Sequence, residues 1–282
     1  MIRNATPADI PALTAFLGAH IETSMFLMGN LAAHGVDDPA HPHGTRFFLR
    51  DDATGITAVL GQTNGGYLLC QMPGLTRQAA QDWAGVVQGR IIGMTGHADQ
   101  VAAFLTALPL TPADFRLNRV DPQYALDLTA LPETPVTTRM ATPNDIPLLT
   151  AWYAAYMAET GTAPPGDIDV VARDRALRAV GSPDLRLLID GGPVAMAGIN
   201  AAAGDAVQVG GVFVPPDLRG AGRAGQVVTG LLAARRETGA RRAILFAASV
   251  TAARAYVRIG FARIGDYRIA LLTAPVTLGT TP

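Results

Sequence analysis

Val212-Phe-Val-Pro-Pro-Asp-Leu-Arg-Gly-Ala-Gly-Arg-Ala-Gly225 is the stretch of sequence that decides the fold of this chain. The apolar residues Val212–Val214 predict the end of a strand, and Gly220, Gly222 and Gly225 predict a tight turn that opens a helix. Such a turn can hold an anion, because its free backbone N–H groups and the positive end of the helix dipole point at one place. The stretch therefore predicts a strand, a phosphate-binding turn and a helix, in that order.

The composition is that of a globular protein with length for two domains. The chain has 282 residues, of which 49% are apolar and 16% charged, and its formal charge is −1. That charge gives no electrostatic reason to bind nucleic acid or an anionic membrane surface. No apolar run reaches the length of a spanning helix, and no signal peptide follows Met1, so we expect no membrane segment. A single cysteine, Cys70, excludes a disulfide framework and indicates the cytoplasm.

The basic residues restrict the possible chemistry, because all 22 of them are arginine. Without lysine the chain can have neither a Walker-A phosphate loop nor a Schiff base. All five histidines lie in the first half, so acid–base chemistry in the second half depends on carboxylates, tyrosine or water. Three of these histidines, His34, His41 and His43, suggest a metal, but loop histidines without cysteine or acidic partners usually bind none, and we expect no metal.

The chain contains an internal repeat. Arg3–Phe16 and Arg139–Trp152 agree at ten of 14 positions, which indicates a duplicated domain. The proline-bearing segment Leu131–Pro135 predicts the boundary. In each copy a short strand precedes a threonine-capped helix with proline and aspartate in its first turn.

Each copy predicts the same succession of elements. In the second copy these are a helix over Ile168–Val180, strands over Leu185–Ile189, Pro193–Ile199 and Ala206–Val214, a helix after the glycine turn that stops at Gly239, a strand over Ala243–Ala247, a helix over Thr251–Ile259 and a strand over Phe261–Leu272. In the first copy they are strands over Phe47–Arg50, Ile56–Gly61 and Tyr67–Cys70, a helix over Gln78–Gln88, a strand over Ile91–Met94 and a helix over Asp99–Leu108. Gln71–Ala79 replaces the glycine turn there, so we expect no phosphate site in that copy.

One interpretation of the glycine turn is a dinucleotide site, because Gly220, Gly222 and Gly225 satisfy the G-x-G-x-x-G pattern. Three features oppose it. Only one more strand–helix–strand follows the turn, which is too little for a doubly wound sheet. Pro215–Leu218 separates the strand from the first glycine, and Ile244–Ala248 offers no acidic residue for a ribose hydroxyl. A nicotinamide or flavin enzyme remains the third hypothesis.

A second interpretation comes from two motifs. Arg219-Gly-Ala-Gly-Arg-Ala224 resembles the Arg/Gln-x-x-Gly-x-Gly/Ala signature of the GNAT superfamily of N-acetyltransferases, with Arg219, Gly222 and Ala224 on the signature positions. Downstream, Ala252-Ala-Arg-Ala-Tyr-Val-Arg-Ile-Gly-Phe261 is similar to the second motif of that family. The resemblance covers residues 136–272 and reaches the first half only through the repeat.

The resemblance implies an α/β (α+β) fold with two tandem GNAT-like domains, each a central mixed, mostly antiparallel sheet flanked by helices. We expect residues 1–133 to form a degenerate GNAT-like domain and residues 134–282 to form an acetyl-CoA-binding catalytic GNAT domain. The implied activity is transfer of an acyl group, by default acetyl, directly from coenzyme A to an amine. The alternative is a non-catalytic acyl-CoA-binding sensor or scaffold protein.

The site residues follow from the resemblance and from the chemistry of the turn. The expected cofactor contacts are Val212, Phe213 and Val214 on the strand, Arg219, Gly220, Ala221, Gly222, Arg223, Ala224 and Gly225 in the turn, and Ser249, which equally suits a helix N-cap.

Tyr256 holds the position of the general acid toward the departing thiolate. Glu159 and Asp205 are candidate bases, and a water chain is a third possibility. The expected acceptor is a small-molecule amine or a peptide, held partly by the loop in Met157–Asp169.

Overall fold

The computed structural model describes residues 1–163 and 166–279. In chain order the elements are β1 (Ile2–Asn4), α1 (Ile10–Ala19), α2 (Ile21–His34), β2 (Thr45–Asp52), β3 (Gly55–Thr63), β4 (Tyr67–Gln71), α3 (Arg77–Ala84), β5 (Gly89–His97), α4 (Ala98–Leu105), β6 (Phe115–Asp127), β7 (Thr138–Arg139), α5 (Ile146–Thr160), α6 (Ile168–Ala179), β8 (Leu185–Ile189), β9 (Pro193–Ala203), β10 (Ala206–Phe213), α7 (Arg223–Glu237), β11 (Arg242–Phe246), α8 (Val250–Arg258) and β12 (Ala262–Leu278). No helix in the described part of the chain is both long and apolar enough to cross a lipid bilayer.

The chain folds into two compact units. The first contains Met1–Asp121 together with the chain from Gly265 onward, and the second contains Pro122–Ile264. This division differs from the expected domains 1–133 and 134–282 in two ways. The change of unit falls within β6 instead of in the proline-bearing segment, and the end of the chain belongs to the first unit.

The first unit is a mixed sheet with a pair of helices on each face. Its strand order is β1-β2-β3-β4-β5-β12, and every pairing is antiparallel except that of β4 with β5. Residues of α1 and α2 share one core cluster with β2 and β3, including Leu13, Leu17 and Phe47. Residues of α3 and α4 share the other, including Trp83 and Phe104.

The second unit repeats this plan. Its strand order is β7-β8-β9-β10-β11-β6, again antiparallel except for one parallel pair, β10 with β11. Helices α5 and α6 cover one face with Trp152 and Ala176, and α7 and α8 cover the other with Leu231 and Tyr256. The mixed, mostly antiparallel sheet flanked by helices is therefore confirmed in each unit.

Each sheet takes its sixth strand from the far end of the other repeat. In the first unit β12 pairs with β5, with Tyr267 opposite His97. In the second unit the residues of β6 from Gln123 onward pair with β11. Sequence patterns cannot reveal this exchange, because the backbone hydrogen bonds that join β6 or β12 to a sheet do not depend on which repeat supplies the strand.

The two repeat segments have the same local structure. Asp9 accepts hydrogen bonds from Arg3 and from the backbone and side chain of Thr6, just ahead of α1. The second unit reproduces these contacts ahead of α5 with Arg139, Thr142 and Asp145. In both copies a single 3-10 turn separates the threonine from the α-helix, so threonine begins that turn and not the helix itself.

Most predicted elements lie within a few residues of the observed bounds. The sequence analysis missed α2 and β6 altogether, and it extended α3 four residues beyond Ala84. Strand β6 carries Arg116, Arg119 and Asp121 among its apolar residues, so its alternation is weak and only its neighbours in the sheet define it.

Candidate active site

The candidate site lies wholly within the second unit, where β10 and β11 separate. These parallel strands are paired from Ala206 with Arg242 to Val209 with Leu245, yet β10 continues to Phe213. The pairing of β10 with β9 is irregular from Gly210 to Phe213, and Gly211 has a φ of 60°. A side chain at Gly210 would overlap the Asn200 side-chain amide. The strand therefore bulges immediately after its last contact with β11.

A cavity of about 720 Å³ opens at this separation. Its walls come from α5, the end of β10, the glycine turn, the end of β11 and α8. The lining residues are Tyr156, Glu159, Thr160, Val209, Gly210, Gly211, Val212, Phe213, Val214, Arg219, Gly220, Gly222, Arg223, Ala224, Leu245, Phe246, Ala248, Ser249, Thr251, Ala252, Arg254, Ala255, Tyr256 and Arg258. The size suits an extended small molecule more than an ion.

The glycine turn presents free backbone N–H groups. Gly220 and Gly222 have φ values of 90° and 73°, a conformation that a side chain would disfavour. Gly222 precedes the first residue of α7, and no side chain caps that helix. Among the described residues, none of the N–H groups from 220 to 225 has a hydrogen-bond acceptor. The positive end of α7 and these N–H groups together form a place for an anion.

Two arginines hold the turn in position. Arg219 donates from Nε to the carbonyl of Val214 at 2.9 Å and from Nη2 to both carboxylate oxygens of Glu159 at 2.8 Å. Arg223 donates to the carbonyl of Leu218 at 2.9 Å and to Asp190 at 3.0 Å. Both guanidinium groups line the cavity, but each is already engaged by protein acceptors.

Tyr256 is the buried titratable group at the other side of the cavity. It is 6% exposed, and its ring packs edge-on against Phe261 with centroids 6.1 Å apart. Burial raises the pKa of Tyr256, and the nearby Tyr156 adds to the rise. Its hydroxyl therefore stays protonated at neutral pH, as a proton donor requires. Within the described residues no hydrogen bond engages this hydroxyl.

Ser249 begins α8. Its Oγ accepts a hydrogen bond from the N–H of Ala252 at 3.1 Å, so the predicted N-cap is confirmed. Ser249 also lines the cavity. The cap orients the helix that carries Tyr256 and thereby fixes where the tyrosine hydroxyl lies.

The structure brings most of the predicted site residues to one cavity. Ala221 and Gly225 are the exceptions among the predicted cofactor contacts. A Cβ at Gly225 would lie 3.4 Å from Ile259, so Gly225 lies where α7 contacts α8. Asp205, the second candidate base, lies in the turn between β9 and β10 and does not line the cavity. Pro164 and Pro165 of the predicted acceptor loop lie outside the described residues.

Sequence reasoning missed the polar lining residues Tyr156, Thr251, Arg254 and Arg258, and it included Thr160 only as part of the loop Met157–Asp169. Tyr156 and Thr160 lie on α5, and only the packing of α5 against the sheet brings them to the cavity. Arg254 and Arg258 lie two residues on either side of Tyr256 on α8. Their spacing in the sequence could have predicted that both lie on the face of α8 that lines the cavity, because residues four apart share a helix face.

At the corresponding place in the first unit, side chains engage backbone N–H groups. Gln100 is buried, and its Oε1 accepts the N–H of Met72 at 2.7 Å, just beyond β4. Thr76 caps α3 through the N–H of Ala79. Cys70 is also buried there, and burial raises its pKa to about 12, as expected of an unreactive small side chain. Two backbone N–H groups at this place, those of Met72 and Ala79, therefore have side-chain acceptors.

The loop histidines form a stack. His34 and His41 lie ring over ring with centroids 4.2 Å apart, and His34 Nδ1 is 3.3 Å from Asp38. Across residues 1–163 and 166–279, no three His, Cys, Asp or Glu side chains are placed to hold a metal ion.

Several solved structures share this fold along the whole chain. A GNAT-family acetyltransferase from Colwellia psychrerythraea is 15% identical with a TM-score of 0.55, covering 96% of this chain and 99% of its own. A GCN5-related N-acetyltransferase from Sphaerobacter thermophilus is 17% identical with a TM-score of 0.53, covering 98% and 95%. A Drosophila protein reaches a TM-score of 0.61 at 11% identity, covering 96% and 98%. No protein-family model and no curated protein matches the sequence.

These likenesses define the class of fold. The chain has the fold of the GNAT acetyltransferases, and the likeness extends over both units.

Proposed function

We propose that this protein is an acyl-CoA-dependent N-acyltransferase, with acetyl as the acyl group, whose active site is the cavity of the second unit. One observation carries the proposal: the free N–H groups of the glycine turn and the protonated hydroxyl of Tyr256 open on the same cavity. A diphosphate and a thioester joined by a pantetheine arm match that arrangement.

The turn suits the diphosphate of acyl-coenzyme A. Its free N–H groups converge at the start of α7, and the cavity is lined by four arginines and one glutamate. The unpaired edge of β10 from Gly210 to Val214 supplies backbone groups for the amides of the pantetheine arm, in the manner of an added strand.

Direct transfer forms an amide bond and breaks the C–S bond of the thioester. The acceptor amine must lose a proton, and the departing thiolate must gain one. Tyr256 supplies the proton to the sulfur, since its raised pKa keeps the hydroxyl protonated. A backbone N–H at the end of β10 polarises the thioester carbonyl.

The base is assigned to water in preference to Glu159. Both oxygens of Glu159 accept hydrogen bonds from Arg219, so the carboxylate is already engaged by an arginine and is poorly placed to take a proton from an amine. Water in the cavity has no such competing partner.

The first unit has a supporting role in this proposal. Gln100 and Thr76 each accept a hydrogen bond from a backbone N–H there, those of Met72 and Ala79, which supports a degenerate copy. We propose that the protein works in the cytoplasm, in keeping with a single free cysteine. The acceptor is a small-molecule amine or a peptide.

Two measurements test the function together. Calorimetry should show acetyl-CoA binding with one site per chain, and a thiol-release assay over a panel of amines should show turnover. Tyr256→Phe should retain binding while lowering kcat by about a hundredfold, the usual contribution of a general acid. Full activity of Tyr256→Phe would remove the tyrosine from the mechanism.

A binding protein without catalysis is the second candidate. Glu159, the one acidic residue of the cavity wall, is engaged by Arg219, which favours this candidate over an enzyme with a carboxylate base. Tight acetyl-CoA binding with no turnover on any class of amine would establish it.

A further inference from the structure

The cavity wall carries more positive charge than a diphosphate alone would need. Among the described residues, four arginines line it, namely Arg219, Arg223, Arg254 and Arg258, and Glu159 is the only acidic lining residue. Arg219 pairs with Glu159, and Arg223 pairs with Asp190. Arg254 and Arg258 have no carboxylate partner in the described ranges 1–163 and 166–279. Two cations on one wall are therefore uncompensated.

These two arginines share one face of α8. They are four residues apart, which places both side chains on the same side of the helix, and both are exposed. Like charges at this spacing repel one another, and α8 itself, Val250–Arg258, contains no acidic residue. Such a pair destabilises the helix, but its two guanidinium groups can bind a doubly charged anion.

The arginine pair lies beside the glycine turn. Helix α8 is in contact with the first turn of α7, since a Cβ at Gly225 would lie 3.6 Å from the carbonyl oxygen of Ala255. Ala255 directly follows Arg254 in the helix. The free N–H groups and the two arginines are thus neighbouring parts of one wall.

We propose that Arg254 and Arg258 bind a phosphomonoester, the 3′-phosphate on the ribose of coenzyme A, in addition to the diphosphate held by the turn. The inference rests on the proposed function and adds a specificity to it. Two guanidinium forks suit the oxygens of a dianion, whereas the single negative charges of a diphosphate suit backbone N–H groups. The protein then distinguishes coenzyme A from 3′-dephospho-coenzyme A.

Calorimetry with the full chain tests the inference. Coenzyme A and 3′-dephospho-coenzyme A are each titrated into the native protein, Arg254→Gln, Arg258→Gln and the double variant. We expect the native protein to bind coenzyme A at least about tenfold more tightly than the dephospho form. A ratio of that size corresponds to the contribution of one hydrogen bond to a charged group. The double variant should lose this preference, while its affinity for the dephospho form changes less than about twofold.

Arg173→Gln is the matched control, because Arg173 is an exposed helical arginine of the same unit, on α6, that does not line the cavity. It should keep the native preference. Thermal unfolding without ligand checks the fold, and each α8 variant should melt at or above the native temperature, because a repulsion has been removed.

The outcomes separate the two proposals. Equal affinity of the native protein for both ligands, or an unchanged preference in the double variant, overturns the 3′-phosphate assignment and leaves the acyl-CoA function standing. Failure of both ligands to bind the native protein overturns both.

Discussion

Arg219 and Glu159 join the glycine turn to the end of α5. One guanidinium nitrogen of Arg219 lies 2.8 Å from each carboxylate oxygen of Glu159, while Nε holds the carbonyl of Val214 and the guanidinium lies over the Phe213 ring. Their side chains are 47% and 45% exposed, so this pair adds little to global stability. Its effect is local, because it fixes the arginine against the strand end and the turn.

Replacing Glu159 distinguishes positioning from catalysis. If Glu159 positions Arg219, Glu159→Gln should raise the KM for acetyl-CoA about two- to fivefold and leave kcat within about twofold, since a surface ion pair is worth at most about 1 kcal/mol. The acidic limb of the pH–rate profile should keep its shape. Loss of that limb with a hundredfold fall in kcat would instead identify Glu159 as the base. Asp174→Asn, which removes the exposed ion pair with Arg178 on α6, is the control.

Gly222→Ala should weaken binding of acetyl-CoA about tenfold, because the φ of 73° would strain an alanine and misdirect the N–H groups of the turn. The expected loss of stability is about 1 kcal/mol. No atoms lie within 4 Å of the added methyl group, so backbone strain alone is tested.

Gly204→Ala is the control for that change. Gly204 has a φ of 57° and equally open surroundings, but it lies in the turn between β9 and β10, away from the cavity. Urea unfolding should give similar losses of stability for both variants. If Gly204→Ala weakened acetyl-CoA binding as much, the turn would have no special role.

Asp145 should make folding sensitive to acid. Arg139 holds the pKa of Asp145 well below its ordinary value of 3.8, with further help from Thr142. Because the folded-state pKa is lower than the unfolded one, the stabilisation is present above about pH 4 and is lost as pH falls below it.

Asp145→Asn should therefore lower the free energy of unfolding by about 1–2 kcal/mol at pH 7, allowing for the partial exposure of Arg139. The difference from the native protein should shrink below about pH 4 in urea unfolding curves. Asp9→Asn, the same change in the first repeat, should behave alike. A difference that stays constant down to pH 2 would contradict the ion-pair explanation.

Gln100→Ala should destabilise the protein without creating a second binding site. The buried N–H of Met72 would lose its acceptor, at a cost of about 1–3 kcal/mol. Gln100→Glu retains an acceptor oxygen and gives the comparison, and Gln78→Ala on the exposed face of α3 gives the control. Calorimetry should still find one acetyl-CoA site per chain in Gln100→Ala. Two sites would mean that Gln100 alone closes the first unit.

The local structure of this protein follows from its sequence. Ten identities between the repeats predicted two copies of one fold, and the same aspartate, threonine and arginine contacts recur in both. The glycines at 220 and 222 predicted the turn before α7, and Ser249 predicted the start of α8. These features depend on residues within a few positions of one another, where backbone preferences and capping operate.

Only the tertiary structure decided which distant segments meet. It exchanged β6 and β12 between the units, brought Glu159 onto Arg219 across 60 positions, and placed Arg254 and Arg258 beside the turn. It also brought Gln100 of α4 onto the N–H of Met72 in the first unit. These contacts depend on sheet pairing and helix packing between residues far apart in sequence, and local preferences carry no information about such partners.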